Sequence, residues 1–285
     1  MTTLKIQWNF GNECNNACQY CPPILRSGGS PFPDYPKLLK AFNLISSKTL
    51  HFNTVDLEIT GGEPTFSESL RKIIKDYQDE RIQYNLVSNG YANLEWWADV
   101  KNKISSIQLS YHSQTPLSHY QDVADILKNN NLTLLIPLVP EDWNEKVKIY
   151  NDFKNQGFIT QLQLLYSNFT KGNNNYFKYT QEQWDFYYSE QGLSETDSVE
   201  ETIEFKRQKN LNDYYGHLCW AGLDQIAITS NGSILRGWCS PGQILGNVYQ
   251  DKFELFDAAR VCSKSQCTNG FDLKARKSEG SWGMA

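Results

Sequence analysis

N-E-C-N-N-A-C-Q-Y-C-P, residues Asn12 to Pro22, holds three cysteines near the start of the chain. Cys14, Cys18 and Cys21 follow the spacing C-x3-C-x2-C. Three thiols cannot pair among themselves without leaving one over. A structural zinc site wants four ligands, so zinc would need a distant fourth, with His51 or His112 available. A [4Fe–4S] cubane held by three thiolates keeps one iron open instead. An open iron is a Lewis-acidic position for a substrate or cofactor ligand. The spacing alone leaves cluster and zinc both standing. Position adds to it: the stretch directly follows a strand-like run, Leu4 to Asn9. The loop therefore sits at the C-terminal edge of a sheet, where parallel α/β folds assemble active sites.

Working outward, short apolar runs alternate with helical patterns as far as Tyr166. Strands are predicted at Leu4–Asn9, Thr54–Thr60, Tyr84–Ser88, Ser106–Tyr111, Leu132–Val139 and Thr160–Tyr166, each short and rich in Ile, Val, Leu, Thr or Tyr. Helices are predicted at Pro36–Ser47, Ser67–Gln78, Leu94–Asn102, Leu117–Asn130 and Trp143–Gln156, with Pro36, Pro116 and Asp142 as start residues. Alternation of this kind implies βαβ units and a parallel sheet. Six βα repeats are too few for a closed eight-stranded barrel, so the expected fold class is α/β, a partial (β/α)6 TIM-like barrel. Near Asn168 the pattern stops. Lys171 to Asn175 reads as a loop, and Gln181–Tyr188 and Glu200–Lys209 read as helices. Gln225–Thr229 and Ser233–Trp238 then read as strands joined across Ser230-Asn231-Gly232, a hairpin signal. The expected division is a core at 1–214, with a helical linker at about 168–214, and a small C-terminal subdomain at 215–285.

The cysteine stretch resembles the signature of the radical S-adenosylmethionine (radical SAM) superfamily, C-x3-C-x-aromatic-C, with Tyr20 in the aromatic position. I-T-G-G-E-P, Ile59 to Pro64, follows the second strand and resembles the family's GGEP segment. V-S-N-G, Val87 to Gly90, ends the third strand, and L-S-Y-H, Leu109 to His112, ends the fourth. The resemblance implies that Cys14, Cys18 and Cys21 hold a [4Fe–4S] cluster whose open iron takes S-adenosylmethionine (SAM). It also implies that Gly61, Gly62, Glu63 and Pro64 engage the methionine amino group, and that Ser88, Asn89 and Ser110 meet its ribose and carboxylate. The implied reaction is reductive cleavage of SAM to a 5'-deoxyadenosyl radical that removes a substrate hydrogen, with flavodoxin or ferredoxin as electron donor. His112, at the edge of the fourth strand, is a candidate base for a substrate radical. An ordinary strand-end hydrogen bond is its alternative reading.

The other four cysteines, Cys219, Cys239, Cys262 and Cys267, all lie after His217. Four thiols in a small hairpin subdomain suit tetrahedral zinc. Their order also resembles the twitch subdomain, the shortened SPASM extension of radical SAM enzymes. There a cysteine precedes the hairpin, a second follows it and a later pair completes the site. Gly246-Asn247-Val248 matches a recurrent G-N-[IV]. This resemblance implies one auxiliary [4Fe–4S] cluster ligated by all four thiolates, with electron transfer as its task. All seven cysteines are then assigned, which leaves none as a hydrogen-atom donor and disfavours peptide epimerisation. The implied function is oxidative modification or crosslinking of a ribosomally made peptide. A radical SAM dehydrogenase of a small molecule such as a carbohydrate is the alternative, and a non-catalytic zinc-thiolate protein comes last.

Composition constrains partners. A net charge of -5 argues against a nucleic-acid partner gripped by its phosphates. No apolar run reaches the ~18 residues of a membrane span, and the N-terminus has no signal-like apolar region. A cytoplasmic setting is expected, where cysteine clusters serve metals more often than disulfides. The first strand begins by residue 4 with no peptide-recognition domain before the barrel, which tilts slightly away from leader-peptide-dependent chemistry unless a separate recognition protein supplies that step. Arg236 is expected at the surface, and Trp143, Trp184, Tyr187 and Tyr188 in packing. The Ser27–Pro33 segment is expected as a connecting loop or a lid.

Overall fold

The computed structural model describes residues 2–170, 173–190, 205–206, 209, 211–240, 242–267 and 269–278. Six parallel strands run in sequence order: β1 (Thr3–Asn9), β2 (Thr54–Thr60), β3 (Ile82–Ser88), β4 (Ile104–Ser110), β5 (Leu132–Leu138) and β6 (Ile159–Leu164). The helices between them are α1 (Tyr35–Lys48), α2 (Glu68–Asp76), α3 (Leu94–Val100), α4 (Leu117–Leu127) and α5 (Trp143–Asn155). Local chemistry explains several starts. The side chains of Asp34, Ser67 and Asn93 accept the backbone N–H of Lys37, Leu70 and Trp96 and so cap α1, α2 and α3. At Pro116 and Asp142 no side-chain cap bond forms.

Period-two alternation sets the two faces of the sheet. On β2, Val55, Leu57 and Ile59 are fully buried, while Asp56, Glu58 and Thr60 are half-buried on the other face. Each such aliphatic side chain contributes about 1.5–3 kcal/mol by leaving water. Trp8, Phe42, Trp96, Trp97 and Tyr120 fill the widest gaps in the layer between sheet and helices. This is the α/β partial barrel expected from the alternation.

The last third of the chain differs from expectation in three places. Asn173–Tyr176 is not loop but strand β8, paired antiparallel with β7 (Tyr166–Thr170). A run of asparagines has low strand propensity, and hairpin pairing overrides it. The strand predicted over Ser233–Trp238 ends at Leu235. Arg236, expected at the surface, is buried. Its guanidinium donates to the carbonyls of Ala221 and Arg260, each at 3.1 Å, and to Gln243 Oε1 at 3.3 Å. Backbone acceptors thus offset its desolvation. Helix α6 (Gln181–Ser189) forms with a capping box from Thr180 and Gln183. Most of the helix expected at Glu200–Lys209 lies outside the described residues.

The C-terminal strands are β9 (Leu218–Cys219), β10 (Gln225–Ile228), β11 (Ser233–Leu235), β12 (Ile244–Asn247), β13 (Lys252–Phe253), β14 (Arg260–Val261) and β15 (Lys277–Ser278), with a short helix α7 (Gly270–Leu273). Strand β10 pairs parallel with β1, Lys5 opposite Gln225 and Trp8 opposite Ile228. Strands β11 to β13 add antiparallel, so one ten-stranded sheet runs from β13 to β6. Strand β9 lies between β14 and β15 in a separate small sheet. No helix among the described residues is long and apolar enough to cross a membrane.

Candidate active site

The loops after β1, β2, β3 and β4 meet over the C-terminal ends of the strands. Gly61 adopts φ +147°, and a Cβ there would overlap the Gly11 carbonyl oxygen. A Cβ on Gly62 would overlap the Glu13 carbonyl oxygen and stand 2.6 Å from its carbon. Gly62 N–H donates to Gly11 O at 2.8 Å, and Glu63 N–H to Glu13 O at 2.7 Å. The two glycines therefore let the β2 loop clamp the backbone that leads into the cysteines. On the far side, Asn12 ties Ser27–Pro33 down: Asn12 O and Oδ1 accept Gly28 N–H at 3.1 Å and Ser30 N–H at 2.6 Å.

Glu63 is 1% exposed and accepts four donors. Its Oε1 takes Thr65 N–H, Thr65 Oγ1 and Ser88 Oγ, and its Oε2 takes Asn89 N–H at 2.7 Å. Burial raises its pKa, and these hydrogen bonds oppose the rise. The carboxylate thereby fixes the β3 loop beside the β2 loop. Asn89 continues the chain of contacts: its Nδ2 donates to Asn15 Oδ1 at 2.8 Å and approaches Cys14 Sγ at 3.8 Å. Gly90, at φ +76°, closes the turn, with its N–H on Ser88 Oγ at 3.0 Å.

Cys14, Cys18 and Cys21 line one cavity of about 240 Å³ together with Tyr20, Gly61, Glu63, Ser88, Asn89, Ser110 and His112. Gly62 lines it as well, while Pro64 is buried in the turn behind. Cys14 is pushed up to about 11, chiefly by burial, with Glu63, Cys18 and Cys21 adding negative charge. Cys21 is also raised, by burial first and Cys18 second. Converging thiols in such a setting hold their protons unless a cation joins them. Tyr20 stacks on His112 at 27° and its hydroxyl hydrogen-bonds His112 Nδ1, which also lies 3.5 Å from Cys18 Sγ. Burial holds the His112 imidazole down at about 4, with Lys146 adding to the effect, so it is neutral at pH 7.

The later cysteines gather at the other end of the sheet. Cys219, Cys262 and Ala275 pack as one buried group, and Cys239 and Cys267 lie within electrostatic reach of Cys219. Burial pushes Cys239 up to about 11 and Cys267 up to about 12. Among the described residues, no three His, Cys, Asp or Glu side chains converge tightly enough to hold a single metal ion.

Asp272, which sequence reasoning missed, organises this region. Its two oxygens accept the backbone N–H of Trp238 at 3.1 Å and of Cys239 at 2.6 Å. Asn212 likewise brackets Cys267, with donor and acceptor bonds of 2.7 and 3.0 Å. The only sequence hint of Asp272 is an acidic residue in the first turn of a short helix, too common to stand out. Asp272→Ala is expected to orphan both N–H groups and destabilise the fold by about 2–4 kcal/mol, read by denaturant melts.

No protein-family model matches the chain. It is 29% identical over 87 residues to the probable GTP 3',8-cyclase of Methanocaldococcus jannaschii, a match covering 30% of this chain and 28% of that protein. Among solved structures it is similar to native anSMEcpe with bound AdoMet, at 17% identity and TM-score 0.56, over 87% of this chain and 78% of that one. It is also similar to Streptococcus suis SuiB bound to S-adenosylmethionine, at 14% identity and TM-score 0.56, over 87% of this chain and 64% of that one. SuiB bound to its precursor peptide SuiA superposes at 14% identity and TM-score 0.57, over 87% of this chain and 63% of that one. These neighbours are radical SAM enzymes, and theirs is the fold in which this chain arranges its three-cysteine loop, its glycine clamp and its β3 and β4 strand ends.

Proposed function

We propose that the chain is a radical SAM enzyme that generates a 5'-deoxyadenosyl radical and uses it to modify or crosslink a ribosomally made peptide oxidatively. The observation that carries this reading is the single cavity in which three cysteines face Glu63, Ser88, Asn89 and Ser110. Its donor set suits a [4Fe–4S] cluster with one open iron: three thiols from one loop line the same cavity. When bound there, such a cluster supplies the electron that cleaves SAM. The protein's share is placement. Gly61 and Gly62 bring the β2 loop against the cysteine loop, Glu63 holds Ser88 and Asn89 at the rim, and Asn89 reaches back toward Cys14. His112 is assigned to fixing Tyr20 and, as a neutral imidazole, to accepting a proton from an oxidised substrate.

Cys219, Cys239, Cys262 and Cys267 are assigned as the residues that would hold an auxiliary [4Fe–4S] cluster, which would supply an electron acceptor for substrate oxidation. Residues 215–285 are assigned to the twitch subdomain, and the electron donor to a flavodoxin or ferredoxin. The precursor peptide bound by the neighbour SuiB supports a peptide substrate. The nucleotide substrate named for the Methanocaldococcus relative supports the small-molecule reading in second place. Anaerobic reconstitution tests the proposal: a brown protein with about eight irons that releases 5'-deoxyadenosine on reduction is expected. A colourless zinc-loaded protein without SAM cleavage would refute it.

A further inference from the structure

Below the site, the barrel interior is polar. A cavity of about 900 Å³ opens between β2, β6, β10 and α7. Between it and the upper site lies a space of about 240 Å³, lined by Val87 of the upper cavity and Glu58 of the lower one. The charges lining this interior are three carboxylates, Asp56, Glu58 and Glu190, and three lysines, Lys5, Lys154 and Lys274. Lys154 binds Glu190 at 2.7 Å, and Tyr150 donates to the same carboxylate. Asp56 accepts from Asn85 and has Lys5 and Lys274 as neighbouring cations. Glu58 forms no ion pair among the described residues. One of its oxygens accepts only a neutral donor, Gln7 Nε2.

That neutral donor is itself fixed. Gln7 Oε1 accepts Trp238 Nε1–H at 2.5 Å, so the amide cannot flip without losing both bonds. The relay Trp238–Gln7–Glu58 orients the carboxylate and leaves its second oxygen without a hydrogen-bond partner among the described residues. Glu58 and Thr60 share a face of β2, and two residues of strand separate them by about 7 Å. Thr60 lines the upper cavity. A group held on Glu58 therefore has its neighbouring carbons within a few bonds of the reactive end of the barrel.

We infer that Glu58 is the specificity-determining residue for a cationic substrate group, an alkylammonium or guanidinium on the peptide, seated in the lumen directly beneath the site. This rests on the peptide-modifying reading and names the side-chain class it acts on. A cation there pairs with a carboxylate in a partly enclosed space, where charge-assisted hydrogen bonds are strongest. A hydrocarbon or acidic side chain in its place leaves Glu58 desolvated without a partner or beside a like charge.

The test is calorimetric titration of the reconstituted, SAM-loaded, unreduced enzyme with Gly-Gly-X-Gly-Gly peptides in which X is lysine, arginine, norleucine or glutamate. The expected result is at least tenfold tighter binding of the lysine or arginine peptide than of the other two, with the preference lost in Glu58→Gln. Equal binding of all four, no binding at millimolar peptide, or a preference that survives Glu58→Gln would overturn it. Reducing the same preparations and measuring 5'-deoxyadenosine separates the two claims. Cleavage without the cation preference sinks only the Glu58 assignment, whereas absent cleavage sinks the radical SAM reading whichever peptide binds.

Discussion

Replacing Cys14, Cys18 and Cys21 together by alanine is expected to lower bound iron from about eight to about four per chain and to abolish 5'-deoxyadenosine formation. The three thiols share one cavity, and burial, with the neighbouring thiols adding to it, raises Cys14 and Cys21. Binding of the cluster must therefore drive off their protons, and losing one thiol weakens the remaining set more than proportionally. The later cysteines lie apart from these three, Cys219 and Cys262 in a buried group with Cys239 and Cys267 within electrostatic reach, and are expected to keep their iron. Iron assay and low-temperature electron paramagnetic resonance of the reduced variant read the two populations independently. Retention of all iron with full SAM cleavage would exclude the assignment.

Gly62→Ala is the second large effect, and it acts without touching a ligand. The new methyl group would overlap the Glu13 carbonyl, a backbone atom with no rotamer to escape into. Relief requires the β2 loop and the cysteine loop to separate, breaking the 2.8 Å and 2.7 Å bonds from Gly62 and Glu63. Overpacking of this kind costs about 1–3 kcal/mol, which in a chain this large lowers Tm by about 2–12 °C. The activity loss should exceed the stability loss. A shift of about 1 Å in the cysteine loop is enough to cost roughly 100-fold in rate. A folded variant with wild-type SAM cleavage would show that the clamp does not position the site.

Legibility in the sequence followed the range of the interactions. β2 was read to the residue because its seven positions alternate cleanly and the burial pattern follows that alternation. The cysteine and glycine motifs were legible because close backbone approach needs glycine and because the three cysteines stand within eight residues of one another. The reason for the glycines differs from the simplest expectation, since their nearest neighbours are Gly11 and Glu13 backbone atoms. Long-range partners left no local trace. Arg236 is buried by carbonyls 15 and 24 residues away, and Asp272 reaches back 33 residues to Cys239. Trp238 meets Gln7 across 231 positions, a contact that the docking of β10 on β1 creates. The asparagine-rich strand β8 was missed because pairing, not propensity, sets it.

The parallel docking of β10 on β1 has a consequence for biogenesis. Strand β1 gains its second neighbour only once residues 225–228 have been made. Contacts of such sequence separation form late, because the intervening chain must first be gathered. During synthesis, one flank of β1 stays open, and the loop carrying Cys14, Cys18 and Cys21 hangs from a strand with a bare edge. Under the proposed cluster assignment, iron incorporation at that loop is therefore expected only after residues 225–228 have been made and docked on β1.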